Sequence, residues 1–214
     1  MAGGADSATL DQSGRELGPR ALETRRKLLE GTAELLAARS VRDVSVVDIA
    51  RHAGTSPATF YQYFKDVTEA TLRLAEQAAQ ELPAVVEMID GAWEGDGGLA
   101  NARAIVDAFV RHWDAHRAVL LVRNLAADEG DQRFQLVRRQ SLQPVLEHLA
   151  AQIAASQQAG RVDRKLGPAA AAAAMGAILE RLAAYHRELE TLGVTRDDLV
   201  ETCARILHQT VAGR

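Results

Sequence analysis

Cysteine, proline and aromatic residues are scarce in this sequence. Among its 214 residues there are one cysteine (Cys203), five prolines and nine aromatic residues. A single cysteine excludes a disulfide framework within the chain and suits a reducing compartment. No run of about twenty apolar residues occurs, so the sequence offers no membrane-spanning helix. Strand-like alternation is also nearly absent and alanine is abundant, which predicts an all-α protein.

The first nineteen residues are small, polar and rich in glycine. They lack the apolar segment of a secretory signal peptide. We therefore expect residues 1–19 to form a disordered arm, and we expect a cytoplasmic protein.

Charge is unevenly distributed along the chain. The formal net charge is −4, which argues against a general polyanion binder. Between Arg20 and Lys65, however, there are eight basic and five acidic residues, a net charge of +3. This asymmetry predicts a nucleic-acid-binding module joined to a domain of another kind.

Two short helices follow one another closely between residues 45 and 64. Ser45 with Asp48 forms a capping-box pattern at the start of the first, and Gly54 is suited to its end. Ser56 is a good N-cap for the second helix and Pro57 fits its first turn. The turn between them is about three residues long, as in a helix-turn-helix.

Four of the nine aromatic residues lie between residues 60 and 64. Phe60 and Phe64 are four residues apart and share a helical face, so we expect both in the core. We expect Tyr61 and Tyr63 to point elsewhere, where a phenol hydroxyl can donate to a phosphate. Hydroxyl and amide side chains at residues 55, 56, 59 and 62, flanked by Lys65, favour DNA docking. A solvated helix in an ordinary bundle is the alternative.

The stretch VSVVDIARHAGTSPATFYQYF, within residues 21–72, resembles the TetR family of bacterial transcriptional regulators. Part of the remaining chain is similar to the branch containing the ethionamide-resistance repressor. The resemblance implies a three-helix helix-turn-helix DNA-binding domain at residues 20–66. It also implies a helical ligand-binding and dimerisation domain at residues 67–214.

The resemblance also implies which residues meet DNA. The expected phosphate contacts are Ser45, Ser56, Thr59, Tyr61, Tyr63 and Lys65. The expected base contacts are Ala58, Gln62 and Thr55, since Gln can pair with adenine and Ala can touch a thymine methyl. Helix 1 is predicted from Ala21 to about Ala38, and basic residues on or before it can reach flanking phosphates or the minor groove (Arg20, Arg25, Arg26 and Lys27). The family commonly has a Lys after the helix 4 cap, where this chain has Val67, so we assign that role to Lys65.

Several further helices are predicted after residue 66. Helix 4 should run from Val67 to about Asp90 with a bend at Pro83, and a later helix should kink at Pro144. Gly167-Pro168 should begin the next helix, and Thr195 with Asp198 should cap the last.

An effector pocket and a dimer interface are implied in this second domain. The expected pocket residues are Phe109, Trp113, Leu121, Asn124, Phe134, Met175 and Leu179, although each is also compatible with ordinary core. Their character suggests a largely apolar ligand. The last two helices are expected to pair with those of a second copy.

The resemblance therefore implies a homodimeric, ligand-responsive repressor, released from a palindromic operator by a small apolar effector. It would be associated with the nucleoid when bound to DNA. The alternative is a non-specific, architectural DNA-binding dimer without an effector.

His112 and His116 have the i, i+4 spacing of a metal-binding pair, but no third ligand is near them in sequence. We therefore predict no metal and no cofactor. Cys203 lies on an apolar stripe and is expected to be a buried small hydrophobe. No phosphate-binding loop or nucleophile elbow occurs in the sequence, and we predict that the protein is not an enzyme.

Overall fold

Helices account for nearly all of the regular structure in the computed structural model, which describes residues 12–213 apart from the side chain of Asp96. No strand occurs within that range, so the all-α prediction is confirmed. A short 3₁₀ helix lies at Val41–Asp43. The α-helices are α1 (Pro19–Ala38), α2 (Val46–His52), α3 (Pro57–Tyr63), α4 (Val67–Ala79), α5 (Pro83–Ile89), α6 (Gly95–Asp128), α7 (Gln132–Gln158), α8 (Pro168–Glu190) and α9 (Arg196–Ala212).

Side-chain caps fix several of the helix starts. The Ser45 hydroxyl accepts from the backbone N–H of Asp48 at 3.2 Å, where α2 begins. Thr195 accepts from the N–H of Asp198 at 3.1 Å, where α9 begins. Such a cap contributes about 1 kcal/mol by satisfying an N–H that the helix leaves unpaired. Both caps agree with the sequence prediction.

The continuous helix predicted from residue 67 to about residue 90 is wrong. The chain leaves α4 after Ala79 and enters α5 at Pro83. Proline has no N–H to donate and its ring clashes with the carbonyl four residues earlier. The helix is therefore interrupted rather than bent, and a turn at residues 80–82 separates α4 from α5. Pro144, by contrast, lies inside α7.

The chain divides into two compact units. Of the described residues, the first comprises residues 12–77 and 118–136, and the second comprises residues 78–117 and 137–213. The helices α4, α6 and α7 therefore each contribute residues to both units. Within α6 the backbone leaves helical geometry at His116, where φ is −119° and ψ is 16°. The proposed boundary between residues 66 and 67 remains a prediction.

The core of the first unit is formed where α1, α2 and α3 pack against one another. Leu28 of α1, Ile49 of α2 and Phe60 of α3 are fully buried. Burying an aliphatic or aromatic side chain of this size stabilises the fold by about 1.5–3 kcal/mol. These three side chains hold the two helices of the helix-turn-helix on α1.

In the second unit α8 packs against α9. The buried side chains on these helices include Met175, Leu179, Cys203, Leu207 and Val211. Burial raises the pKa of the Cys203 thiol, as expected for a small buried hydrophobe. Arg103 of α6 pairs with Glu201 of α9, and Arg187 of α8 pairs with Asp114 of α6 at 2.6 Å. Within residues 12–213, no helix is long and apolar enough to cross a membrane.

Candidate nucleic-acid interface and effector cavity

The turn between α2 and α3 depends on Gly54. Its φ is +66°, a left-handed conformation that side-chain-bearing residues adopt only with strain. The N–H of Thr55 donates to the carbonyl of Ala50 at 2.8 Å, which closes the turn onto α2. Gly54 thereby sets the direction in which α3 leaves α2.

α3 begins at a side-chain cap and presents polar groups to solvent. The Ser56 hydroxyl accepts from the N–H of Thr59 at 3.1 Å and contacts the Thr59 hydroxyl at 2.9 Å. Ala58, Tyr61 and Gln62 are exposed, and 55% of Tyr61 is accessible. A methyl, a phenol and an amide on one short helix are suited to a groove of DNA.

The predicted outward orientation of Tyr63 is wrong, because its side chain is buried with only 9% of its surface exposed. Tyr63 follows Phe60 by three residues, so the two lie on the same face of the helix. Its ring lies 6.4 Å from that of Phe64. Of the two tyrosines, only Tyr61 offers its side chain broadly to solvent.

Two predicted contact residues lie at the edges of the helix-turn-helix. At the start of α2, the Ser45 hydroxyl also donates to the carboxylate of Asp48 at 2.6 Å. That hydrogen bond, with the charges of Arg39 and Arg51, lowers the pKa of Asp48. Just beyond α3, the Lys65 side chain is exposed and its backbone N–H donates to Glu69 at 2.7 Å.

Arg51 was counted in the basic excess of residues 20–65 but was not among the predicted DNA contacts. It lies in the last turn of α2 and 73% of its side chain is exposed. Its guanidinium is 3.4 Å from Asp48, an exposed pair of little energetic consequence. A basic residue three positions before the turn glycine Gly54 could have been recognised in the sequence as a candidate phosphate contact.

The basic residues of α1 are largely engaged with other side chains. Arg25 is buried, and its guanidinium lies 5.4 Å from the centre of the Phe64 ring, within reach of a cation–π contact. Arg26 pairs with Glu23 at 2.7 Å and also contacts Glu30. The expectation that Arg25 reaches a phosphate is therefore wrong, because that side chain belongs to the core.

The predicted disordered arm lies partly outside the described residues, which begin at Gln12. The Gln12 backbone N–H donates to the carbonyl of Gln62 at 3.0 Å. Its side-chain amide donates to the carbonyl of Tyr63 at 3.0 Å and to Glu69 at 3.1 Å. Residues 12–18 thus include a contact to the end of α3, and α1 begins at Pro19, earlier than predicted.

The second unit contains a cavity of about 310 Å³ beside both prolines discussed above. Its apolar wall includes Leu82, Pro83, Val86 and Pro144. Its polar groups come from Glu87, Asp90, Gln140, Ser141 and His148. Cavities that bind small molecules have this mixture of apolar lining and a few polar groups.

None of the seven predicted pocket residues lines this cavity. Phe109, Trp113, Met175 and Leu179 are buried in the second unit. The other three, Leu121, Asn124 and Phe134, belong to the first unit. Phe134 is fully buried, 37% of Leu121 is exposed, and the Asn124 carbonyl oxygen accepts from Arg123 at 3.0 Å. Their assignment to a pocket stays a prediction.

The packed three-helix unit and the turn at Gly54 define a helix-turn-helix DNA-binding protein. A family model for "Bacterial regulatory proteins, tetR family" matches residues 28–77. A second, for "Tetracyclin repressor-like, C-terminal domain", matches residues 85–214. The chain belongs to the TetR family and is a DNA-binding transcriptional regulator. Its similarity to the ethionamide-resistance branch stays a prediction.

Solved structures show the same fold at low sequence identity. The fatty acid degradation regulator FadR from Bacillus halodurans has a TM-score of 0.65 and 16% identity, over 93% of this chain and 97% of that one. FadR from Bacillus subtilis, in complex with stearoyl-CoA, has a TM-score of 0.64 and 16% identity, over 88% and 98%. SmeT, the repressor of a Stenotrophomonas maltophilia multidrug efflux pump, has a TM-score of 0.61 and 16% identity, over 86% and 91%.

Proposed function

We propose that this regulator is a homodimeric repressor that leaves an inverted-repeat operator when a small, largely apolar effector binds. The observation that carries the proposal is the exposed surface of α3, held in place by Gly54 and by the buried Phe60. The proposal assigns no catalytic step to the chain.

The division of labour we propose follows the family layout. Residues 20–66 dock on DNA, and residues 67–214 bind the effector and a second copy. On α3, Ala58 and Gln62 would meet base edges, with Thr55 beside them. The phosphate contacts would come from Ser45, Ser56, Thr59, Tyr61 and Lys65, with Arg51 as an addition. Tyr63 could contribute only through its hydroxyl, because its ring is buried.

We propose that α8 and α9 form the dimer interface. Small side chains on α8 are exposed at Ala170, Ala173, Ala174 and Ala177, which would allow another helix to approach closely. On α9, Ile206 is 39% exposed. Two copies would place two α3 helices on half-sites separated by one DNA turn or a multiple of it.

Analytical ultracentrifugation tests the dimer. The wild-type chain should sediment as a dimer at micromolar concentration. Ala174→Glu and Ile206→Glu should give folded monomers, because each buries a charge in the interface. Leu192→Glu is the control, since Leu192 is exposed but lies beyond the end of α8. A monomeric wild-type protein would contradict the proposal.

We propose the cavity beside Pro83 and Pro144 as the effector site. Its volume of about 310 Å³ is at the small end of ligand sites, which favours a compact ligand or an acyl chain inserted in part. The stearoyl-CoA bound by Bacillus subtilis FadR makes acyl thioesters a reasonable first set of probes. An effector that prefers one arrangement of Ala79, Leu82 and Pro83 could alter α4, which ends at Ala79. It would act only through its different affinity for the two states.

Selection from a random-sequence DNA pool at near-physiological salt tests the proposed function. The expected result is an enriched inverted repeat, because a two-fold dimer reads two identical half-sites. The operator found in this way then serves for screening effectors by release of bound DNA. Binding without any enriched motif would contradict the repressor and favour the architectural alternative, which relies on phosphate contacts alone.

A further inference from the structure

Three potential metal ligands converge where the chain turns from α4 into α5. Glu81 lies in that turn, and His112 and His116 come from α6 beside the kink at His116. One ligand atom from each of the three lies within 4.8 Å of the other two. All three residues belong to the second unit.

Both imidazoles face the same carboxylate oxygen. Nε2 of His116 lies 2.8 Å from Oε2 of Glu81, and Nδ1 of His112 lies 3.6 Å from that oxygen. Two ligands bound tetrahedrally to one Zn²⁺, each about 2.0–2.2 Å from it, are about 3.3–3.6 Å apart. The 3.6 Å separation lies in this range, whereas the 2.8 Å separation is a hydrogen-bond distance that would have to widen by about 0.5 Å for an ion to bind. The side chains of Glu81 and His116 are both partly exposed, which leaves room for that rotation.

We propose that Glu81, His112 and His116 form a binding site for a divalent transition-metal ion of the Zn²⁺ class. Imidazole nitrogen and carboxylate oxygen are ligands that Zn²⁺ accepts, and three protein ligands leave a fourth position for water or another group. This inference goes beyond the proposed repressor function and does not depend on it.

The candidate site is buried at His112 and open to solvent at Glu81. His112 is buried, with 9% of its surface exposed, so its ring is held by packing within α6 and its neighbours. Glu81 is 57% exposed at its side chain, which leaves a route for the ion to enter. Metal ligands bind in their deprotonated forms, so the carboxylate of Glu81 and the two imidazoles would together carry one negative charge. That charge would offset part of the 2+ charge of the ion.

A metal ion here would tie the turn after α4 to the middle of α6. The next two residues after Glu81, Leu82 and Pro83, line the cavity described above. Metal binding would therefore stiffen one wall of that cavity. The prediction of no metal considered only His112 and His116. The third ligand, Glu81, lies 31 positions before His112, so no short spacing in the sequence connects it with the two histidines.

Isothermal titration of untagged, EDTA-treated full-length protein with ZnCl₂ tests this site. The expected result is one ion per chain and a higher melting temperature with Zn²⁺ present, because the ion binds the folded state. Replacing Zn²⁺ with Co²⁺ should give the intense visible absorption of a four-coordinate ion. Glu81→Gln and His116→Gln should each weaken Zn²⁺ binding at least about tenfold.

His148→Gln is the matched control. His148 lies 2.7 Å from Asp90 in the same unit, so it forms a similar exposed histidine–carboxylate pair. It does not belong to the three-ligand cluster. Zn²⁺ affinity should be unchanged in this variant. Glu81→Gln alters a largely exposed side chain, and its melting curve without metal shows whether it folds.

Two outcomes would overturn the proposal. One is the absence of stoichiometric Zn²⁺ or Co²⁺ binding by the folded wild-type protein. The other is binding that folded Glu81→Gln and His116→Gln variants retain in full, which would place the ion elsewhere.

Discussion

Neighbouring residues of α3 have opposite environments. Gln62 is exposed, whereas Tyr63 beside it is buried. The hydrophobic faces of α1 and α2 determine which side of α3 is covered, and Phe60, Tyr63 and Phe64 lie on that side. The exposed side carries residues suited to contact DNA, and Gln62 is the residue of α3 with a side-chain amide, whose separate donor and acceptor groups can pair with a base edge.

Gln62→Ala should reduce affinity for the selected operator by about 1–3 kcal/mol and change the preferred base at one position of each half-site. The reason is the loss of a bidentate amide contact to a base edge. Competition binding against operators substituted at each position measures this.

Lys65→Ala is the control for that experiment. It should weaken binding to all sequences alike and reduce the salt dependence, as expected for a phosphate contact. A Gln62→Ala loss that is equal on every sequence would contradict the base-reading role.

Gly54→Ala should destabilise the protein by about 1 kcal/mol or more in chemical denaturation. The added methyl group meets no atom within 4 Å, so the cost comes from the left-handed backbone at φ +66°. Gly97→Ala is the control, since Gly97 lies within α6, has no left-handed φ and faces open space. That change should be neutral or stabilising. Equal effects at both positions would contradict a conformational role for Gly54.

At the scale of elements, local chemistry determined which features could be predicted. The caps at Ser45, Ser56 and Thr195 depend on residues three positions away, so the sequence contains the whole pattern. The break before Pro83 was missed because sequence periodicity continues across it. The meeting of Glu81 with His112 and His116 depends on how helices pack, which no short-range pattern records.

The ion pairs between α6 and α9 make stability depend on pH. Glu201 accepts a hydrogen bond from Arg103 and also pairs with Arg205, and these contacts lower its pKa from 4.5 to about 2 despite an opposing effect of burial. A depressed carboxyl pKa contributes stability above about pH 4.5, and this contribution is lost as the pH falls towards about 2.

Glu201→Gln should therefore lower the melting temperature at neutral pH, and the difference from wild type should shrink as the pH falls from about 4.5 towards about 2. Thermal unfolding across this range measures the effect. Glu190→Gln, at the exposed end of α8, makes the same charge change outside this group of ion pairs. A wild-type advantage that persists undiminished at low pH would contradict the ion-pair explanation.

At the scale of the whole molecule, the sequence predicted the fold class and the family, and both are confirmed. The helix-turn-helix could be recognised because its turn and caps require particular residues at fixed spacing. The candidate effector cavity could not be located in this way, since apolar residues form the same sequence patterns whether they line a cavity or fill a core. The predicted pocket residues and the cavity at Pro83 and Pro144 accordingly differ.

Sequence-specific DNA binding by α3 is the central claim, and the specificity ratio tests it most directly. The measurement compares affinity for the selected operator with affinity for scrambled DNA of equal length, at the same near-physiological salt. The account predicts a ratio of about 10³ or more, because base contacts by α3 add to the phosphate contacts that both DNAs offer. A ratio near one would contradict it and leave only phosphate-driven binding.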